Sequence, residues 1–199
     1  MAGHEAGAGG DPAPAFVRSV RAARAVPTVR PARPDDPRDR RAVSDLLAAY
    51  LIATEREKGA EVAGTSALPE SYRREVADPA AALAGATVLL AEDAGEPLGM
   101  VVLTAPDEGR CEVKRLWTVP AARGRGVAAA LVEAACERAQ ARGDAEVALT
   151  VWRWRDGARR LYARLGFVEV DSWEERADLV CMTRALAPVI SPIDGPERS

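Results

Sequence analysis

The segment best suited to bind a ligand is a glycine- and arginine-rich stretch between a strand-like run and a helix-like run, Arg123-Gly124-Arg125-Gly126. A turn that opens a helix exposes backbone N–H groups, and the helix dipole adds positive potential at the same point. The glycines carry no side chains that would keep an anion away, and the arginines add positive charge. The pattern predicts a pyrophosphate site, although a tight turn with exposed arginines would look similar.

Two other phosphate-binding motifs fit this stretch poorly. The spacing Gly124-x-Gly126-x-x-Ala129 matches the dinucleotide fingerprint, and Asp144 lies twenty residues after the first glycine. However, Pro120-Ala-Ala-Arg separates the strand from that glycine, Asp144 precedes the next strand, and the motif follows a set of antiparallel strands. A Walker loop is excluded because no Gly-Lys-Ser/Thr sequence follows.

Side chains that could act as nucleophiles or metal ligands are scarce. The single histidine, His4, lies in a Gly/Ala-rich stretch, which argues against a Ser–His–Asp triad, a Cys–His pair or a histidine zinc site. The cysteines Cys111, Cys136 and Cys181 are widely spaced and form no C-x-x-C pair. We therefore expect buried, reduced thiols and no metal site. Acid–base chemistry is left to carboxylates, tyrosine, lysine, cysteine or water.

The elements that must position this turn alternate between strand and helix periodicity. Strands are predicted at 28–33, 86–91, 98–104, 111–119, 147–152, 167–170 and 179–184, and helices from Asp36-Pro37, over 69–83, over 123–142 and over 156–165. Pro31 suits only an edge strand, and Gly143 and Gly166 are expected to end the last two helices. The order βααβββαβαββ places hairpins before a strand–helix–strand unit that requires a parallel crossover.

Length and charge restrict the class of protein further. A chain of 199 residues, 48% of them hydrophobic, is long enough for one domain with its own core. The net charge of −3 gives no general attraction to nucleic acid, and 29% charged residues exclude a membrane protein. We predict a folded unit over 27–187 with flexible tails at 1–26 and 188–199. The N-terminus has no signal-peptide pattern, so we expect a cytoplasmic location.

The turn and its flanks together resemble a known family. Arg123-x-x-Gly126-x-Ala128 is similar to the acyl-CoA signature, Arg/Gln-x-x-Gly-x-Gly/Ala, of the GNAT superfamily of N-acetyltransferases. The stretch Leu161-Tyr-Ala-Arg-Leu-Gly-Phe167 is similar to the Leu-Tyr-x-x-x-Gly-Phe element of the same family. The resemblance covers about residues 27–186. It implies an α+β, GNAT-type acyl-CoA N-acyltransferase fold: a twisted, mostly antiparallel sheet with a splayed parallel strand pair, flanked by helices.

The resemblance also implies acetyl-CoA as the co-substrate, and no metal. The pyrophosphate would rest on the backbone N–H groups of the turn, and the pantetheine arm would pair with the fourth strand as an added strand. The cofactor-binding residues implied in this way are Leu116, Trp117, Thr118, Arg123, Gly124, Arg125, Gly126, Val127 and Ala128.

Two residues are candidates for catalysis. Glu112 matches the glutamate that serves as base in one branch of the family, and strand alternation would put it on one face with Leu116. Tyr162 matches the tyrosine that often lies near the CoA sulfur and is our candidate acid. An exposed carboxylate and a core tyrosine are the plain alternatives. Arg155 stands where related sequences often carry asparagine, so we expect Asp156 to cap the helix instead.

The function implied is transfer of the acetyl group of acetyl-CoA to a primary amine, by direct transfer in a ternary complex. The alternatives are a longer acyl-CoA, or a CoA-binding sensor without turnover; a covalent route through Cys111 or Cys181 lacks a visible base. The acceptor is expected to be a small-molecule or peptide amine, with no nucleic acid or membrane partner, and the resemblance allows a homodimer. Trp152 and Trp154 flank the end of the fifth strand, where a substrate pocket would open, although core and rim packing is the commoner role of large aromatic residues there. Trp173-Glu174-Glu175 lies between the last two strands and could draw a cationic amine, and a solvated turn explains it equally.

Overall fold

The chain folds around one seven-stranded sheet in a computed structural model that describes residues 27–188. The elements are β1 (Thr28–Pro31), α1 (Pro37–Glu57), α2 (Glu70–Ala77), α3 (Pro79–Ala82), β2 (Thr87–Asp93), β3 (Glu96–Leu103), β4 (Arg110–Thr118), α4 (Val127–Arg142), β5 (Glu146–Trp152), α5 (Asp156–Arg164), β6 (Val168–Val170) and β7 (Leu179–Ala185). Apart from residue 188, the predicted tails lie outside the described residues.

The order of strands across the sheet is β1-β2-β3-β4-β5-β7-β6. Neighbouring strands are antiparallel, except that β4 and β5 pair in parallel around the α4 crossover. Pro31 lies on β1 at the sheet edge, as predicted. Proline has no backbone N–H to donate, and one side of an edge strand has no neighbouring strand that would require this hydrogen bond. The predicted fold class is confirmed, although one predicted helix is divided in two and some elements begin or end at other residues.

The core lies on both faces of the sheet. On one face α4 buries Leu131 and Val132 in a large apolar cluster. On the other face α1 buries Leu47 and Leu51 in a cluster that includes Met100 of β3. The central strands are therefore held between α4 and α1, which fixes the strand that leads into the glycine-rich turn. Among residues 27–188 no helix is long and apolar enough to cross a membrane.

The predicted continuous helix over 69–83 is wrong, because the segment forms two short helices. Asp78 separates α2 from α3 with φ −136° and ψ 77°. Pro79 causes the break, since proline disfavours helical geometry in the residue before it and has no N–H for the helix ladder. The Asp78 side chain then caps α3 by accepting a hydrogen bond from the N–H of Ala81 at 3.1 Å.

The helices around the candidate site also differ in their starts from the predictions. The helix predicted from Arg123 begins four residues later, because Gly124 and Gly126 have φ angles of 72° and 81° and keep the turn out of the helix. It ends at Gly143, as predicted. Asp156 does not cap α5; it is the first helical residue, and Arg155 holds the cap position without a side-chain hydrogen bond to the helix.

A buried carboxylate fixes α1 to the edge of the sheet. Asp39, in the first turn of α1, is 3% exposed and accepts hydrogen bonds from both terminal nitrogens of Arg30, at 2.7 and 2.8 Å. Arg30 also donates to Glu92 of β2 at 2.6 Å. The hydrogen bond from Arg30 holds the pKa of Asp39 well below its ordinary value of 3.8, against the opposing effect of burial.

Replacing Asp39 by asparagine should lower the free energy of unfolding at neutral pH by about 1–3 kcal/mol, since Arg30 is partly solvated and the pair is partly screened. A carboxylate with a lowered pKa stabilises the fold above its unfolded pKa and loses that contribution as the pH falls. The difference between wild type and Asp39→Asn in urea unfolding should therefore shrink below about pH 4.

The matched control is Asp45→Asn, whose exposed pair with Arg41 lies on the same helix. It should change stability by less than about 0.5 kcal/mol. A difference between wild type and Asp39→Asn that stays constant from neutral to acid pH would contradict the assigned ion pair.

Candidate functional site

The site is built where two parallel strands separate. β4 and β5 pair at Arg110 with Glu146, Cys111 with Val147 and Glu112 with Ala148, and no pairing between them follows. Both strands nevertheless continue, to Thr118 and to Trp152. The backbone of β4 beyond Glu112 therefore faces a gap instead of a neighbouring strand, and such an edge offers N–H and C=O groups to a ligand.

A bulge in β4 decides which side chains face this gap. The register with β3 shifts between Met100–Trp117 and Val102–Lys114, and Arg115 has a φ of 54°. Close approach of the two strands at this point depends on Gly99, because an added Cβ there would lie 2.4 Å from the carbonyl oxygen of Trp117. The bulge turns the side chains after it to the face opposite to the one that simple alternation gives.

This bulge makes one prediction wrong. Leu116 packs on the α4 side with Cys111 and Val113, and so lies on the opposite face of β4 from Glu112. Trp117 packs on the α1 side, edge-on to Tyr50 at 6.4 Å between ring centroids. The backbone of Leu116 remains beside the gap, but its side chain shares no face with Glu112.

Four of the six N–H groups from Arg123 to Ala128 are unpaired in the described part of the chain. Among residues 27–188, the N–H groups of Gly124, Gly126, Val127 and Ala128 have no hydrogen-bond acceptor, and the first helical bond is from Ala130 to Gly126. The N–H groups of Arg123 and Arg125 are already used within the turn, by Pro120 and Ala122. A Cβ added at Gly124 or Gly126 would meet nothing within 4 Å, so the space before the helix N-terminus is open.

The two arginines of the turn have different surroundings. Arg125 is half-buried and donates to Asp93 of β2 at 2.8 Å, which ties the turn to the sheet and neutralises part of its charge. Arg123 is exposed, and its guanidinium lies 5.0 Å from the ring of Trp117. Arg123 is therefore the arginine of this pair with charge available to an anion.

The residues present fit a CoA group. Two buried polar atoms beside the turn, Trp117 Nε1 and Thr118 Oγ1, have no partner among the described residues. Unpaired buried polar groups are costly, and a ligand that supplies partners removes that cost. Together with the free N–H groups of the turn and the open strand edge, they suit a pyrophosphate joined to an amide-containing arm.

A cavity of about 230 Å³ lies at the gap, and Tyr162 of α5 is one of its walls. Tyr162 is 6% exposed and its ring packs against Phe167 at 5.8 Å. Its hydroxyl makes no hydrogen bond with any residue from 27 to 188, although it is not sealed from the cavity. Burial raises the pKa of Tyr162, Tyr50 raises it further, and the charge of Arg155 opposes both. The tyrosine therefore stays protonated at neutral pH and can donate a hydrogen bond.

Glu112 and Tyr162 do not line the same cavity. Glu112 pairs with Lys114 at 2.8 Å, and it is Lys114 that reaches the cavity wall. In the described part of the chain, the one carboxylate on that wall is Glu174, which also pairs with Arg176 at 2.9 Å. Sequence spacing does not place Glu174 on the wall beside Tyr162, because Glu174 lies in a loop, whose position no periodicity predicts.

The far wall of the cavity comes from α1, α2 and the end of β5. Tyr50 and Tyr72 line it, as does Trp152, which stacks on Trp154 with ring centroids 4.7 Å apart. Tyr50 belongs to the apolar stripe of α1, so sequence periodicity alone assigns it to the core. Trp152 lies at an opening beside the fifth strand, and an acceptor pocket there stays a prediction.

Two of the three cysteines are poor nucleophiles in this structure. All three thiols are free and buried. Burial raises the pKa of Cys111 to about 12 and that of Cys136 to about 11. A thiol must ionise to attack a thioester, so these two are unsuited to a covalent acyl route.

Fold and cleft together define the class of acyl-CoA N-acyltransferase folds. The chain belongs to the acetyltransferase (GNAT) family, whose sequence model matches residues 45–167, more than half of the chain. The resemblance seen in the sequence is thus confirmed, and the family assigns the protein to the acyltransferases that use acetyl-CoA. No curated protein sequence matches the chain.

Solved structures share the fold at low sequence identity. A GNAT-family acetyltransferase from Staphylococcus aureus Mu50 is 12% identical, with 81% of this chain and 100% of that chain covered and a TM-score of 0.62. The PaiA N-acetyltransferase from Thermoplasma acidophilum, in complex with coenzyme A, is 15% identical, with 81% and 100% covered and a TM-score of 0.62. A phosphinothricin acetyltransferase from Sinorhizobium meliloti, in complex with AcCoA, is 19% identical, with 85% and 94% covered and a TM-score of 0.57.

Replacing Gly126 by aspartate should weaken CoA binding by roughly 10- to 100-fold, because a carboxylate would occupy the N–H groups and repel the pyrophosphate. Titration calorimetry with CoA measures the change. The matched control is Gly143→Asp, at the other end of α4, where φ is also positive and an added Cβ also meets open space. Equal CoA affinity in the two variants would show that the turn does not hold the pyrophosphate.

Proposed function

We propose that the protein transfers the acetyl group of acetyl-CoA to a primary amine, by direct transfer in a ternary complex. The observation that carries this proposal is the cavity at the gap between β4 and β5, which has Leu116 and Tyr162 on its wall. A few residues further along the chain, the same strand β4 leads into the anion-binding turn. Phosphate binding and a proton donor are therefore linked by one open strand edge.

The donor would lie along β4. The N–H groups of Gly124, Gly126, Val127 and Ala128 would bind the pyrophosphate, with Arg123 adding charge. The backbone from Leu116 to Thr118 would pair with the pantetheine arm, as an added strand does. When bound, acetyl-CoA supplies an activated acyl group, and a backbone N–H near Leu116 would stabilise the charge that develops on its carbonyl oxygen.

The acceptor would enter from the opposite side of the sheet. Tyr50 of α1, Tyr72 of α2 and Trp152 of β5 form the walls on that side, and the cavity they enclose reaches the gap. An amine held there could attack across the gap without a covalent enzyme intermediate. The raised pKa values of the buried thiols Cys111 and Cys136 support direct transfer over a covalent route through either of these two residues.

The reaction requires two proton transfers, and different residues near the gap would serve each of them. The acceptor ammonium must lose a proton, and the departing thiolate must gain one. Tyr162 is protonated at neutral pH and its hydroxyl is free to donate to the sulfur. For the amine proton, Glu112 stays our candidate through water, and Glu174 is the carboxylate on the cavity wall itself.

Tyr162→Phe should lower kcat by roughly 100-fold or more, since general acid assistance contributes factors of this order. The ring and its packing on Phe167 remain, so the dissociation constant of acetyl-CoA and the thermal stability should stay near wild type. Thiol release from acetyl-CoA with a panel of amines measures the rate. An unchanged kcat would remove Tyr162 from the mechanism.

Glu112→Gln and Glu174→Gln separate the two candidate bases. The residue that accepts the amine proton should, when changed to glutamine, lower kcat and remove the acidic limb of the pH–rate profile. The other substitution should leave that limb in place. If both variants keep the limb, the amine reaches the site already neutral and neither carboxylate is the base.

Initial rates over a matrix of acetyl-CoA and amine concentrations test the proposal as a whole. Direct transfer in a ternary complex predicts intersecting double-reciprocal plots, whereas an acyl-enzyme predicts parallel ones. If CoA binds and no amine is acetylated, the protein is a CoA-binding sensor or interaction module instead.

A further inference from the structure

The charges on the wall of the 230 Å³ cavity are unevenly distributed. Its described lining carries the cationic side chains of Lys58, Lys114, Arg115, Arg155 and Arg176, against the single carboxylate of Glu174. The carboxylates that pair with the first four of these cations do not themselves line the cavity. The donors face inward and their partners lie behind them, so the interior favours a negatively charged group.

Arg115 is held in place by a carboxylate of another element. Its Nε and Nη2 atoms donate to the two oxygens of Glu75 on α2, each at 2.8 Å. Within residues 27–188 its Nη1 atom donates no hydrogen bond of 3.5 Å or less, although the phenol of Tyr50 lies beside the guanidinium. The left-handed backbone of Arg115 in the β4 bulge points this side chain toward α2. One edge of the guanidinium is therefore fixed, and the remaining donor is available to a ligand.

Arg155 shows the same arrangement from the opposite wall. Its Nε donates to Glu57 of α1 at 2.6 Å and its Nη2 to the hydroxyl of Thr54 at 2.8 Å. Its Nη1 atom also lacks a partner within the described chain. The guanidinium carbons of Arg115 and Arg155 lie 5.7 and 5.8 Å from the centroid of the same ring, Tyr50. Two fixed cations thus flank one aromatic ring beside Tyr162.

We propose that the acceptor is a carboxylate-bearing amine of the amino-acid class, and that Arg115 and Arg155 bind its carboxylate. This inference rests on the proposed amine acetylation. A preorganised guanidinium matches a planar carboxylate in geometry, and both side chains are mostly removed from water, which strengthens the attraction. Tyr50, Tyr72 and Trp152 would contact the acceptor's carbon skeleton, and the small volume suits a free amino acid better than a folded protein.

The test compares acceptors that differ only in the carboxylate. The chain of 199 residues is assayed with acetyl-CoA and a panel of L-amino acids, each matched with its amide and with the amine that lacks the carboxyl group. The best amino acid should exceed its own amide in kcat/KM by at least about 100-fold, because the amide leaves half-buried guanidinium donors without their anion. Equal kcat/KM values for amino acid and amide would overturn the assignment.

Substitutions identify the residues that carry this preference. Arg115→Gln and Arg155→Gln should each raise KM for the amino acid by roughly 10- to 100-fold and reduce the amino acid to amide ratio. Arg115→Lys and Arg155→Lys keep the charge that balances Glu75 and Glu57, and should give intermediate KM values. The control Arg159→Gln removes a guanidinium of α5 that pairs with Glu169 outside the cavity, and should keep the wild-type ratio.

A failed carboxylate assignment can be told apart from a failed proposed function. Acetylation of simple amines as fast as amino acids contradicts the carboxylate site and leaves amine acetylation intact. If no amine is acetylated, the proposed function fails. Calorimetry of an N-acetyl amino acid against its amide, with CoA present, then decides the carboxylate question. A preference that Arg115→Gln abolishes supports the site, and equal affinities overturn it.

Discussion

The end of backbone pairing between β4 and β5, after Glu112 and Ala148, is the constraint on which the rest of the site depends. Buried backbone N–H and C=O groups need hydrogen-bond partners. A strand that separates from its neighbour while helices still cover it therefore has unpaired N–H and C=O groups, to which a ligand can bind. α4 and α1 keep β4 in place from the two faces. Because β4 also leads into the turn with free N–H groups, one strand sets both the position and the direction of a bound donor.

The bulge at Arg115 also decides which side chains of β4 lie on each face of the sheet. It places Leu116 against the α4 core and sends Arg115 to the α2 side, so the two faces of the gap receive different chemistry. One face has backbone groups and apolar contacts, and the other has aromatic rings and guanidiniums. The ion pairs around the cavity join α1, α2, β4 and α5, and their carboxylates fix the orientation of the donors. Their main contribution is geometry, since partly exposed pairs add little stability.

Those features that depend on neighbouring residues could be predicted from the sequence. The turn, the glycine that ends α4 and most of the order of elements follow from local conformational preference and apolar period. The bulge could not be predicted, because it depends on Gly99 meeting Trp117 across two strands. The cavity could not be predicted either: Arg115 meets Glu75, 40 residues away, and Arg155 meets Glu57, 98 residues away. Because the sequence does not show the bulge, strand alternation predicts Glu112 and Leu116 on one face of β4. In the structure their side chains lie on opposite faces.

The most direct test of CoA binding along β4 and the glycine-rich turn is a thermal-shift titration with acetyl-CoA, desulfo-CoA and NAD in parallel. Ligand at about 100 times its dissociation constant adds roughly 2.7 kcal/mol to the free energy of unfolding. We predict such a stabilisation with both CoA compounds and none with NAD, because the open edge of β4 suits the amide-containing pantetheine arm, which NAD lacks. Stabilisation by NAD alone would mean that Gly124-x-Gly126-x-x-Ala129 is a dinucleotide site, and would contradict the account.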